Sequence, residues 1–206
     1  MVISAHCAIE VLAYGANSNR TTKNGYVKLN TVPVWQAAWH GTFPNLRGVN
    51  TILVDPFKCS AREVRQFDTW GDQNAATELS SYLQQLNRGT IIVGVTADEP
   101  SRWLAGALPT LGEIGVDVAD VQYRGAFEFV AQKGFPAKTV LRKALTQAES
   151  FADQPHFHAT VTGMRSSVED AKYLHQIIVS MSQQDVQSVR AHFNIRRDVS
   201  SDLQQP

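Results

Sequence analysis

The chain has 206 residues, with 19 Lys plus Arg against 19 Asp plus Glu, 43% hydrophobic and 18% charged. That length suits one domain with a sizeable core, alone or with an appendage, and the composition is globular rather than disordered or fibrous. Balanced charge argues against non-specific nucleic-acid binding, which needs a basic face to displace counterions, and no apolar run reaches bilayer-spanning length, so no membrane insertion is expected.

Met1-Val2-Ile3 leads straight into strand-like sequence with no leader pattern, which fits a mature secreted chain or a cytosolic one. His6 to Tyr14 is rich in β-compatible residues, and Gly15 to Asn19 reads as a turn or loop. Asn19-Arg20-Thr21 within it is a glycosylation sequon. A hairpin-like stretch follows, Tyr26 to Asn30 and then Val32 to Trp39, with Pro33 marking an edge position. Val49 to Val54, closed by Asp55-Pro56, predicts a central strand. Val64 to Trp70 alternates apolar and polar residues like a half-buried strand. Gly71-Asp72 opens a helix carrying Ala75, Leu79, Tyr82, Leu83 and Leu86 at helical spacing, with Asp72 as its cap.

Thr90 to Thr96 is the strongest strand in the chain. Asp98-Glu99-Pro100-Ser101 then reads as a helix start, a capping aspartate with proline in the first turn. That helix holds Trp103, Leu104, Leu108 and Leu111, shortened or distorted by Pro109. Ala126 to Ala131 predicts a strand turned by Gly134-Phe135-Pro136, and His156 to Thr162 a last one. These elements predict an α/β (α+β) fold, a mixed sheet with helices packed on it. From Ser166, Val168, Ala171, Leu174, Ile178, Met181, Val189 and Phe193 mark one face of a C-terminal helical extension. It packs on its own domain or, on a sharper reading, makes a homo-oligomer. The expected division is a domain over 1–163 and an extension with a frayed tail over 164–206.

No nucleophile elbow, Walker loop or dinucleotide fingerprint occurs. Asp117 and Asp120 lack the i, i+2 spacing of a metal-dependent glycosyltransferase. Asp68 and Asp72 are the nearest to paired carboxylates, with Asp72 better explained as a cap. His156 and His158 share one strand face and could ligate a metal, but no third ligand stands nearby in sequence, so no metal and no cofactor is assigned. Cys7 and Cys59 lie outside any metal-like cluster. They are either two buried thiols or a disulfide, whose loop of about fifty residues would contribute roughly 4 kcal/mol in the chain-entropy model.

Three stretches carry a resemblance. Arg47-Gly48-Val49-Asn50 enters the central strand, which ends at Asp55-Pro56, with Phe67-Asp68-Thr69-Trp70 closing the next strand. Thr90 to Val95 runs into Ala97-Asp98-Glu99. Tyr123-Arg124-Gly125-Ala126-Phe127-Glu128-Phe129-Val130 runs into Lys133-Gly134. In this order and spacing they resemble the interleukin-like inducer domain, over roughly Cys7 to Lys143. That family comprises secreted cytokine-like proteins and also supplies domains to hyaluronan-handling cell-surface proteins and to the stem of an O-mannose β-1,2-N-acetylglucosaminyltransferase.

The resemblance implies a β-β-α domain, secretion, and with it a Cys7–Cys59 disulfide. In the transferase stem the domain is non-catalytic and holds a β-linked N-acetylglucosamine through two arginines and an aspartate, roles that fall here on Arg47, Asp98 and Arg124. Charged groups make short hydrogen bonds to sugar hydroxyls, and Trp103 or Tyr123 could stack on the sugar's apolar face. The chain departs from the family where Gly125-Ala126-Phe127 replaces an acidic residue and a Ser/Thr-Trp pair. The expectation is a secreted, lectin-like, non-enzymatic domain for a glycan or glycoprotein ligand. The alternative is a cytokine-like signalling protein acting on a receptor.

Overall fold

The computed structural model describes residues 3–15, 24–38, 46–146, 148–149, 155–165 and 177–181. Its strands are β1 (Ile3–Leu12), β2 (Tyr14–Gly15), β3 (Asn24–Leu29), β4 (Val32–Ala38), β5 (Gly48–Asp55), β6 (Ser60–Phe67), β7 (Ile91–Asp98), β8 (Ala126–Gln132), β9 (Val140–Ala144), β10 (His156–Arg165) and β11 (Ile177–Met181). Helix α1 spans Ala75–Gln85 and α2 spans Leu108–Glu113, the latter preceded by a 3₁₀ turn at Leu104–Ala107. The first sheet runs β11-β10-β1-β3-β4 and is antiparallel throughout. The second runs β6-β5-β7-β8-β9, antiparallel, with β2 added in parallel to the end of β7.

Strand alternation makes the layers. Cys7, Ile9 and Val11 of β1 face inward with Val27, Leu29 and Trp35, and meet Ile52, Val54, Val93, Val95 and Val130 of the second sheet. The intervening residues of that sheet, Val49, Ile92, Phe127, Phe129 and Ala131, point the other way. They pack on Ala76, Leu79 and Leu83 of α1 and on Leu104, Leu111 and Ile114 around α2. The order is therefore sheet, sheet, helices. β7 and β8 are buried along their whole length because both their faces are covered, which explains their near-continuous apolar sequence.

Two devices join the sheets. Cys7 of β1 is bonded to Cys59, which follows the turn after β5. Asp55 shapes that turn: its Oδ1 accepts the N–H groups of Phe57 (3.0 Å) and Lys58 (3.1 Å), and its Oδ2 accepts from Arg62 (2.9 Å). Cys59 takes a left-handed φ of 47° at the end of that turn. The second device is Ala13, where the chain leaves the first sheet and joins the second as β2. Its N–H is shared between the fully buried Glu128 carboxylate at 2.8 Å and Pro155 C=O at 3.1 Å, so the break in pairing does not strand a backbone donor.

The α+β class expected from the sequence holds, with strand outweighing helix. The hairpin β3/β4 turns on Asn30 and Thr31, both at positive φ in the I′ manner, and Pro33 sits on an edge strand as expected. Two expectations are corrected, and one strand was not foreseen. Residues 177–181, assigned to a C-terminal helix, form β11; β-branched Ile177, Ile178 and Val179 suit a strand, and β10 offers them an edge. The rest of that expected helix, the tail from Ser200 and the Asn19 sequon lie outside the described residues. Val140–Ala144 is a strand that the sequence reading passed over. Asp98 caps no helix: it ends β7 with a left-handed φ of 62°, and the helical turn starts only at Leu104.

Candidate functional site

Antiparallel pairing brings four chain segments to one end of the second sheet. Val49 pairs with Phe67 and Gly48 with Ala97, so Arg47 stands beside Asp68 and Asp98. β8 begins at Ala126 beside the same end of β7, which places Arg124 there too. The three residues given sugar-binding roles thus gather at one strand end.

Arg47 and Asp68 form a two-point ion pair, Nε donating to Oδ1 at 2.9 Å and Nη2 to Oδ2 at 2.7 Å. Asp68 Oδ1 also accepts the N–H groups of Gly71 (2.9 Å) and Trp70 (3.3 Å). Burial alone would raise the Asp68 carboxyl, but the Arg47 hydrogen bonds, the two N–H donors and the arginine charge outweigh it and hold it below its ordinary value. Arg47 is raised by its hydrogen bonds to Asp68, against burial, and by the charges of Asp68 and Asp98. A Cβ on Gly71 would come within 2.4 Å of Arg47 Nη2 and 2.6 Å of Asp68 Oδ2, so the turn needs glycine there to admit the pair.

Asp98 is 8% exposed, and its charge also helps raise the Tyr14 hydroxyl, after burial. The neighbouring Glu99 fixes the loops around it. Its Oε1 accepts from Ser101 N–H and Oγ, both at 2.7 Å, and its Oε2 accepts the N–H of Arg124. Arg124, like Asp98, has a left-handed φ, here 64°. Two non-glycine residues in that region, at adjacent strand ends, are uncommon and cost free energy that the surroundings must supply. Thr69 ties the Asp68 corner to the same loop, its Oγ1 donating to Pro100 C=O at 2.7 Å and its carbonyl accepting Trp103 N–H at 2.8 Å.

Aromatic rings edge the charged groups. Trp70 and Tyr123 stand 5.7 Å apart at 39°. The Arg102 guanidinium lies over both Trp70 (4.9 Å) and Trp103 (5.1 Å), and that of Arg124 over Tyr123 (4.8 Å). Trp103 is 38% and Tyr123 50% exposed, so both candidate stacking residues present ring surface to solvent. The arrangement offers guanidinium donors, carboxylate acceptors and exposed aromatic faces, a set suited to holding a polyhydroxylated ligand.

Trp70, Glu99 and Arg102 were given no roles from the sequence, and Asp68 only a place in a possible carboxylate pair with Asp72. Asp68-Thr69-Trp70 was visible as a motif, but the Arg47 partnership spans 21 residues and appears only once β5 and β6 pair. Gly125, where the family pattern differs, has a close packing reason: a Cβ there would come within 2.6 Å of Ala144 C=O and 2.8 Å of Val121 Cγ1.

Residues 47–135 match the family model described as interleukin-like EMT inducer. This is the family the sequence resembles. The inducer-family match starts at Arg47, covers β5 to β8 with both helices, and takes in Asp98 and Arg124, so it spans four strands of the second sheet and its helical layer, while β2 and β9 of that sheet lie outside it. The first sheet lies outside it. No curated protein matches the chain.

Proposed function

We propose that this chain is a secreted, non-catalytic carbohydrate-binding domain that takes a glycan at the β5–β7–β8 end of the second sheet. The observation that carries the reading is the gathering of Arg47, Asp98 and Arg124 at one strand end beside exposed Tyr123 and Trp103. Support also comes from the inducer-family match, which includes all three charged residues. The left-handed conformations of Asp98 and Arg124 fit a site whose backbone is held for a purpose other than packing. The Cys7–Cys59 bond supports an oxidising compartment, hence secretion, and no helix among the described residues is long and apolar enough to cross a membrane.

Arginine fits the role because its guanidinium presents several donors in a fixed plane, and a carboxylate accepts from two vicinal hydroxyls. The sugar's C–H face would rest on Tyr123 or Trp103. A glycan array probed with the folded protein and with Arg124→Gln tests the proposal. Binding to a discrete glycan set that weakens in the variant is expected. An array that stays at background with folded protein contradicts it and leaves cytokine-like signalling through a protein receptor as the reading.

A further inference from the structure

We propose that Glu10, His156 and His158 form a site for one divalent transition-metal ion, zinc foremost, on the outer face of the first sheet. The site is separate from the glycan-binding end, and the residues that build it lie outside the segment that matches the inducer family.

The register builds it. In the β1/β10 ladder Glu10 is directly opposite His158, and Leu12 is opposite His156, so both histidines share the face that Glu10 occupies. This is the outer face, since Cys7, Ile9 and Val11 on β1 and Phe157, Ala159 and Val161 on β10 are the buried alternates. One ligand atom from each of the three residues lies within 4.8 Å of the others. The Glu10 Oε1 to His156 Nε2 separation is already 3.4 Å. Ligand atoms about 2.0–2.1 Å from a tetrahedral zinc stand about 3.3 Å apart, so rotation of side chains on two paired strands closes the remaining gap. The imidazole rings are 4.9 Å apart and near perpendicular, which lets their nitrogens converge without the rings stacking.

The donor set decides the ion. Two imidazoles with one carboxylate suit zinc, copper or nickel, whereas calcium and magnesium take oxygen ligands. Three protein ligands leave a fourth position open. A second layer is present on β3: the Tyr26 hydroxyl donates to Glu10 Oε1 at 2.5 Å, and Lys28 Nζ reaches Oε2 at 3.1 Å. Both bonds orient the Glu10 carboxylate, as outer-layer partners of a metal ligand do.

Calorimetric titration of zinc chloride into the full, untagged, chelator-treated chain tests the site. One zinc per chain is expected, with affinity reduced about tenfold or more by His158→Ala and by Glu10→Gln. His6→Ala, a change at an exposed histidine on the same face but four residues from Glu10 along β1, leaves it intact, and calcium chloride gives no heat of binding. Because His158 is exposed, its removal leaves the fold in place, and a melting curve of each variant verifies this. Absence of saturable zinc binding, equal binding in His158→Ala, or a matching loss in His6→Ala would overturn the proposal. None of these outcomes bears on glycan binding, so the two readings stand or fall separately.

Discussion

Arg47 and Asp68, 21 residues apart, grip each other through two parallel hydrogen bonds at 2.9 and 2.7 Å, and this pair sets the corner on which the candidate glycan site is built. Fork-to-carboxylate pairing fixes orientation as well as distance, so Arg47 is held against the end of β7 rather than swinging free.

The pair makes stability depend on acid. Asp68 has a folded pKa below its ordinary value, so its contribution is present above the unfolded value of about 3.9 and is lost as pH falls through the folded one. Asp68→Asn should lower stability at pH 7 by about 1–2 kcal/mol, given a partly exposed pair. The gap should narrow as pH drops below about 3.9. Urea midpoints of parent and variant at pH 7 and pH 3 check this. A gap of equal size at both would place the effect in packing rather than charge.

The Cys7–Cys59 bond closes a loop of sequence separation 52 between the two sheets. Replacing both cysteines by serine should cost about 4 kcal/mol in the chain-entropy model, read as a lower urea midpoint with a steeper slope, because the denatured chain without the crosslink exposes more surface. Thiol titration of the denatured, unreduced protein should find no free thiol.

Gly94 of β7 lies opposite Phe129 of β8, and a Cβ there would stand 2.0–2.2 Å from two carbons of the buried ring. Gly94→Ala should therefore destabilise the fold by about 1–3 kcal/mol or more through overpacking. Adding Phe129→Leu should cost less than the sum of the two single changes, because the methyl then has room. Strictly additive losses in a double-mutant cycle would mean the ring is not the obstacle.

What the sequence made legible follows from how local each signal is. Ile91 to Val95 is a short apolar run, and Phe127 to Ala131 is apolar but for Glu128; both suit strands covered on two faces, and they lie in β7 and β8. Val140–Ala144 escaped notice because it is half-buried and carries Arg142 and Lys143, so its alternation is faint. Asp98-Glu99-Pro100-Ser101 has the composition of a helix start, but Asp98 remains paired in β7 and Glu99 spends its carboxylate on Ser101 and Arg124. The apolar spacing around Ile178 fits a helix face, while the β-branched residues beside it fit the free edge of β10; tertiary pairing decided it. Arg47, Asp98 and Arg124 could be singled out only through the family resemblance, and their gathering depends on three strand registers. The third partner of His156 and His158 was unreadable for the same reason, since Glu10 lies 146 residues before His156 and reaches it only through the β1/β10 ladder.

The most direct measurement follows the indole N–H signals of the tryptophans by two-dimensional NMR while a glycan selected on the array is titrated in. Trp70 and Trp103 flank the charged cluster at the end of the second sheet, whereas Trp35 is 4% exposed in the core between the sheets. The expected result is a saturable shift of the Trp70 and Trp103 signals with Trp35 unmoved, and loss of that shift in Arg124→Gln. Signals of Trp70 and Trp103 that stay fixed at saturating glycan, or no glycan found to titrate, would contradict a carbohydrate site here.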